Sequence, residues 1–307
     1  MDLRESAERW RSEGWVLIDG LVSADACAIA LAEIAPRDAV SNVRANSMRR
    51  ADEVDDGGPR FREAQFDGTV LFPYPGAPNL NRLFAHPDVV AFAKLALATE
   101  DLRLYQSRVW SKYGGHTDYE QAHHVDDNHS ALPVRQGPGW GHVECFLYLH
   151  DTDESTGAPR LVPRSTAAKN GLGIGEGLGG SGTTSKPSPE EIPHYYENEI
   201  TASGSAGTLL AYRSDVWHRG ADIPLDRERH ILTLAFRTAS APWINFDAHG
   251  PLVTRPDFVA FVEACTPEEL ALFEVPLPGH QFWTAEVLDA MARIYPGLDL
   301  APWRDRL

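Results

Sequence analysis

His124-Val125-Asp126 and, far downstream, Trp217-His218-Arg219-Gly220 carry residue types that could hold a metal ion. In an extended chain residues i and i+2 point to one side, so the His124 imidazole and the Asp126 carboxylate can approach the same ion. His218, 94 positions after His124, would supply a second imidazole. Two histidines and one carboxylate bound on one face of a metal leave positions open, the arrangement of non-heme Fe(II) oxygenases. The triplet alone is weak, because His-X-Asp arises often by chance in a chain with 12 histidines.

Support comes from Arg229, eleven positions after His218, at the start of the apolar run His230-Ile231-Leu232-Thr233-Leu234-Ala235-Phe236-Arg237. Strand alternation puts Arg229 with Ile231, Thr233 and Ala235, and places Leu232, Leu234 and Phe236 on the opposite, greasier face. A guanidinium held inside a β fold needs an anion, and its planar fork matches a carboxylate. Three other readings compete. Arg229 could be a surface residue of the charged run Asp226-Arg227-Glu228-Arg229. The chain could be a cupin-like binding protein that keeps the metal residues without catalysis, or a Zn(II) hydrolase or isomerase with the same ligands. Neither of the last two needs an arginine at this spacing.

The elements that must position these residues begin with helix, strand and helix. Residues 5–12 are helix-friendly, Trp15-Val16-Leu17-Ile18 is a short strand, and Ser23 and Asp25 suit the start of a helix reaching about Ile34 before Pro36. Residues 38–80 read as mostly irregular, and His86–Ala98 carries apolar residues at helical spacing. After Glu100 short apolar runs alternate with turns: Leu102–Trp110, Val143–Leu149, Gly157–Val162, Gly207–Tyr212 and His230–Arg237. Such a series predicts a mainly β fold with flanking helices, a sandwich or jelly roll. The Gly/Ser/Pro-rich stretch 171–189 contains a formal GxGxxG at Gly175, Gly177 and Gly180, with no strand before it and no helix after it. It therefore reads as a surface loop or active-site lid, not a dinucleotide site. Helical patterns at 255–265, 267–273 and 284–294 close the chain, and 1–307 reads as one domain with helical N-terminal and C-terminal additions.

Composition narrows the partners. Formal net charge is −16, so no basic face for nucleic acid is visible. Acidity of this size serves solubility and also suits a cationic or polar small-molecule substrate. No apolar run spans a bilayer, and the polar N-terminus lacks a secretory signal. Cys27, Cys145 and Cys265 are widely spaced, which argues against a disulfide framework or a thiolate metal site. A cytoplasmic protein is the expectation.

Several stretches together resemble the phytanoyl-CoA dioxygenase family over most of the chain. They are the opening Trp10-Arg11-Ser12-Glu13-Gly14-Trp15-Val16-Leu17-Ile18-Asp19-Gly20-Leu21, the triplet His124-Val125-Asp126, the segment from Leu149 to Ser165, and the series GTLLAY, WHRG and Arg229. The resemblance implies a double-stranded β-helix of the jelly-roll or cupin kind, with Fe(II) bound by His124, Asp126 and His218. It also implies that Arg229 grips the distal carboxylate of 2-oxoglutarate and that Phe146 contacts this cosubstrate. Gln106 or Arg108, on the strand before the triplet, would add a further contact. The implied reaction consumes O2 and 2-oxoglutarate, releases succinate and CO2, and hydroxylates an unactivated C–H bond. Related halogenases carry a small residue in place of the carboxylate, so Asp126 disfavours halogenation. Desaturation, epoxidation and cyclisation remain open.

Departures from the family pattern are Val125 where glutamine is common, Arg164-Ser165-Thr166 in place of Gly-Ser-His, and Gly220 where a hydroxyl often assists 2-oxoglutarate. If Phe146 faces the iron, alternation along His142–His150 brings Glu144 and Tyr148 to the same face. Glu144 would then bind a cationic or hydroxyl group of the substrate. His116, His123 and His129 read as loop residues around the pocket mouth.

Overall fold

The computed structural model describes residues 2–34, 69–71, 77–114, 120–126, 137, 139–167, 178–179, 183–184, 189–190, 192–225, 227–241, 256–271 and 275–307. Its N-terminal helix α1 (Leu3–Glu13) is capped by the Asp2 carboxylate, which accepts from Arg4 N. Gly14 stops it at φ 86°, a left-handed conformation that costs glycine nothing. β1 (Trp15–Ile18) follows, then α2 (Ala24–Ile34), at whose start Ser23 Oγ accepts from Ala26 N at 3.2 Å. β2 (Thr69–Leu71) falls inside the stretch expected to be mostly irregular, and α3 (Pro78–Arg82) begins at its end. α4 (Pro87–Leu97) matches the predicted helix and starts with proline, where no amide donor is needed.

The strands are β3 (Leu102–Tyr113), β4 (His142–Tyr148), β5 (Arg160–Leu161), β6 (Leu178–Gly179), β7 (Thr183–Thr184), β8 (Ile200–Thr201), β9 (Leu209–Tyr212), β10 (His218–Arg219) and β11 (Glu228–Thr238). A six-stranded sheet runs β1-β9-β4-β11-β3-β2, every pairing antiparallel. A smaller sheet runs β10-β5-β8, and β6 pairs with β7 as a ribbon inside 171–189. Most of that glycine-rich stretch, and with it the expected lid, lies outside the described residues.

Alternation gives the large sheet two different faces. Val143, Cys145, Leu147, Leu209, Ala211, Leu232, Leu234 and Phe236 are buried against Val89, Phe92, Ala93 and Ala96 of α4 and the helices beside it. Burying each leucine there contributes about 2 kcal/mol. On the other face Tyr148, Leu210, Tyr212 and Ile231 meet Leu161 and Ala202 of the small sheet and its flank. The Tyr148 hydroxyl donates to Ala202 O at 2.6 Å, tying the two sheets together. The described architecture is thus a helical layer, a large sheet and a small sheet.

Where α2 begins, the chain passes very close to β9. A Cβ on Gly207 would lie 1.9 Å from the Val22 carbonyl oxygen, so only glycine fits. The short helices α5 (Arg164–Ala167) and α6 (Pro193–Glu197) flank the small sheet, and α7 (Pro256–Ala264), α8 (Pro267–Ala271), α9 (Ala285–Ile294) and α10 (Ala301–Arg304) follow β11. These last helices build their own cluster from Phe282, Trp283, Leu288, Met291 and Trp303, and Trp140, just before β4, inserts into it. Among the described residues no helix is long and apolar enough to cross a membrane.

Candidate active site

The segment 120–126 lies antiparallel to 214–220, held by backbone hydrogen bonds. Gln121 N donates to Gly220 O, His124 N to His218 O, His218 N to His124 O, and Asp126 N to Ser214 O, all at 2.8–2.9 Å. His124 and His218 are therefore direct partners across the bridge, with ring centroids 4.4 Å apart. Asp126, two residues on, returns to the same side. His218 Nε2 stands 3.4 Å from Asp126 Oδ2 and His124 Nε2 3.9 Å from Oδ1. One ligand atom from each of the three lies within 4.8 Å of the others. The sequence separation between the two histidines is closed by strand pairing, as expected.

The donor set fits a first-row metal. His124 Nδ1 lies 2.9 Å from Ala122 O, and His218 Nδ1 2.9 Å from Val216 O. A carbonyl only accepts, so each Nδ1 carries the proton and each Nε2 offers a lone pair toward Asp126. Backbone carbonyls fixing the tautomer of ligand histidines are the usual outer support of a metal site. Two ligand atoms about 2.1 Å from one ion stand about 3.0–3.4 Å apart, which the 3.4 Å between His218 Nε2 and Asp126 Oδ2 meets and the 3.9 Å between His124 Nε2 and Asp126 Oδ1 exceeds. Tyr212 adds a further support, donating to Asp126 Oδ2 at 2.8 Å. Burial and the nearby Asp126 charge push the Tyr212 hydroxyl well above its ordinary range, so it stays a donor.

The large sheet supplies the floor. Register sets Glu144 beside Tyr212 and Ala235, Phe146 beside Leu210 and Thr233, and Tyr148 beside Ile231. Across β11, Thr233 pairs with Arg108, Ala235 with Gln106 and Arg229 with Lys112. Phe146 packs edge-on to Tyr212 with centroids 5.2 Å apart, so it faces the cluster containing Asp126. With the Gln106 amide oxygen turned toward it, Arg108 Nε donates at 2.6 Å. Arg229 is buried and donates to the carbonyl of Gly157. Lys112, its cross-strand partner, is buried as well and donates to the carbonyl of Ala221. Two adjacent buried cations concentrate positive charge, which suits a dianionic ligand.

At the opposite end of the same face lies an acidic group. Glu144 is buried and accepts from the hydroxyl of Tyr105, whose ring meets His142 edge-on at 5.4 Å. Burial first, and then the Glu144 charge, raise the Tyr105 hydroxyl well above its ordinary range. Tyr105 sits at a register shift between Ala235 and Phe236, which turns an odd-numbered side chain onto the even-numbered face. Sequence alternation therefore missed Tyr105. Lys112 and Tyr212 were missed too, although simple alternation from Arg108 and Leu210 would have found them.

One expectation changes. His123 is fully buried and donates from Nε2 to Glu199 Oε2 at 2.9 Å, so it is no pocket-mouth residue; strand alternation turns it away from His124. The Tyr148 hydroxyl is engaged by Ala202, as described, and serves the sheet contact. Gly220 N donates to Gln121 Oε1 at 2.8 Å, and a Cβ there would lie 2.7 Å from that oxygen, so a neighbouring side chain fills the space of the absent hydroxyl. His116 and His129 lie outside the described residues.

Residues 10–230 match the profile of phytanoyl-CoA dioxygenase (PhyH). The chain belongs to this family. The matched range contains His124, Asp126, His218 and Arg229, while the helices from Pro256 onward lie beyond it. Solved structures show the same fold at low identity. The epimerase SnoN, in complex with Fe3+, alpha ketoglutarate and nogalamycin RO, superposes with TM-score 0.54 at 19% identity, covering 81% of this chain and 91% of that one. EctD from S. alaskensis, with 2-oxoglutarate and 5-hydroxyectoine, gives 0.52 at 17% identity, covering 84% and 83%. The non-heme monooxygenase ThoJ in its apo form gives 0.50 at 16% identity, covering 81% and 86%. No curated protein matches the chain.

Proposed function

We propose that this chain is an Fe(II)- and 2-oxoglutarate-dependent oxygenase that hydroxylates a small molecule, built as one domain on a double-stranded β-helix. The observation that carries the reading is the triad His124, Asp126 and His218 on the same side of the sheet as the buried pair Arg229 and Lys112. A zinc hydrolase or a metal-storing relative has no need of that second, cationic end.

In this reading the two Nε2 atoms and one Asp126 oxygen hold the ion, and Tyr212 fixes the carboxylate that does so. Arg229 binds the far carboxylate of 2-oxoglutarate in fork geometry, with Lys112 adding charge beside it. Phe146 forms one wall for the cosubstrate, and the Gln106–Arg108 pair lines the same floor. Iron held there would supply, with 2-oxoglutarate and O2, an oxidative decarboxylation that gives succinate and CO2 and converts a substrate C–H to C–OH. The protein orients the substrate carbon and excludes water.

Glu144, held by Tyr105 at the end away from Arg229, binds a cationic or hydroxyl group of that substrate. A buried carboxylate gains most from such a partner. Succinate release with Fe(II), 2-oxoglutarate and ascorbate, accelerated by a panel of small amines and polyols, tests the class and the substrate together. Unchanged substrate affinity in Glu144→Gln would remove Glu144 from the pocket, and no succinate with any candidate would favour the non-catalytic reading.

A further inference from the structure

Behind the triad, on the side turned away from the metal, the chain neighbours of both histidine ligands meet on one carboxylate. Glu199 Oε2 accepts from His123 Nε2 at 2.9 Å and from Arg219 Nε at 2.7 Å, and Glu199 Oε1 accepts from Arg219 Nη2 at 2.6 Å. His123 precedes His124, and Arg219 follows His218. Strand alternation sets this up: when His124 and His218 point inward, His123 and Arg219 point outward together.

The bracket is enclosed. The side chain of His123 is 0% exposed, Arg219 7% and Glu199 11%. Tyr196 packs against both partners, its ring 5.1 Å from the Arg219 guanidinium carbon above it and edge-on to the His123 ring at 4.6 Å between centroids. Its hydroxyl accepts from His123 N at 3.3 Å. Arg219 also donates from Nη1 to Glu120, at the start of the His124 segment. Burial alone would raise the Glu199 carboxyl, yet hydrogen bonds from His123 and Arg219 bring it down to about 2, so it is ionised in the neutral range.

Beside the bracket, the register here rests on the four backbone hydrogen bonds between 120–126 and 214–220 and on the Gly220–Gln121 contact, a short set of bonds. β10 has only two paired residues, His218 and Arg219, and His124 joins it through an isolated bridge. A short ladder slips more easily than a long one, and a slip by one residue would turn a ligand outward. We propose that Glu199 is a positioning residue for the metal centre, locking the His124 and His218 segments in the register that brings both Nε2 atoms to one ion. A fork-to-carboxylate pair is suited to this because its two bonds fix orientation as well as distance. The cost of burying such charges is met by the mutual hydrogen bonds, and what they supply is specificity of arrangement. The inference rests on the metal-site reading above.

Co(II) serves as the test probe, with affinity measured by titration and coordination read from the visible spectrum of the bound ion. Glu199→Gln keeps the shape, removes the charge and presents an amide N–H₂ to a donor. It should weaken Co(II) binding about tenfold or more, the usual effect of disturbing an outer support, and alter the spectrum. Glu199→Asp, which keeps the charge, should recover part of both. Leu288→Ala, in the C-terminal cluster, is the control for general destabilisation and should lower the melting temperature while leaving affinity and spectrum unchanged. Wild-type affinity and spectrum in Glu199→Gln would overturn the proposal. If that variant does not fold, Arg219→Lys decides, since it keeps the charge and loses the fork: weaker Co(II) binding supports the bracket and unchanged binding overturns it. Failure of the unsubstituted protein to bind Co(II) would overturn the metal reading and the bracket together, whereas retained binding in the variants would overturn the bracket alone.

Discussion

On the face covered by Pro87–Leu97, β4 turns Val143, Cys145 and Leu147 into an apolar core; on the other it turns His142, Glu144 and Phe146 toward the triad. β11 does the same, with Leu232, Leu234 and Phe236 on one side and Arg229 and Thr233 on the other. Both faces are buried, and they differ in what burial does for them. The apolar face gains stability from each side chain removed from water. The polar face holds Gln106, Arg108, Lys112, Glu144 and Arg229 at low exposure, where each must be satisfied by a partner or a ligand. One face is apolar throughout, and the other combines a smaller apolar cluster with the buried polar and charged side chains.

The contrast breaks if function and stability respond alike to substitutions on the two faces. The largest effect is expected at Asp126→Ala: Fe(II) or Co(II) binding falls by on the order of 1,000-fold, since a carboxylate ligand is lost, while the melting temperature of the metal-free protein changes little. Leu234→Ala should do the reverse. It should cost about 3 kcal/mol in chemical denaturation, with the affinity for 2-oxoglutarate unchanged in the folded fraction. Arg229→Ala should weaken 2-oxoglutarate binding on the order of a hundredfold, about 3 kcal/mol, in calorimetry with metal binding intact. Parallel losses of metal and cosubstrate binding in Arg229→Ala would merge the two ends of the polar face into one.

The smallest effect concerns acid. The Glu199 carboxyl titrates near 4.5 when free and is held at about 2 in the fold, so its contribution is fully present above about pH 4.5 and is lost as pH falls toward about 2. Denaturation followed across that window should show a gentler decline in Glu199→Gln than in the unsubstituted chain. An equal slope would mean that the bracket adds no acid-sensitive stability.

Much of this polar face was legible in the sequence. His124 and Asp126 at i and i+2, and Arg229 opening an alternating run, translate directly into side-chain direction, because a strand has a period of two. The helices α1, α2 and α4 were legible from spacing and capping residues such as Ser23. What local patterning does not carry is pairing between distant segments. Tyr105 reaches Glu144 only through a register shift, and Glu199 meets His123 and Arg219 only once three separate stretches have folded together. His123 was misplaced for the same reason. Thr69–Leu71 was overlooked because three residues make too short a pattern, and it pairs with β3 by virtue of the existing edge.

Anaerobic titration of the Fe(II)-loaded protein with 2-oxoglutarate, followed by calorimetry and visible absorption, tests the central claim most directly. Saturable binding of a single 2-oxoglutarate per chain is predicted, with a charge-transfer band that disappears in Asp126→Ala and demands far more 2-oxoglutarate in Arg229→Ala. Absence of saturable binding, or binding indifferent to both substitutions, would contradict it.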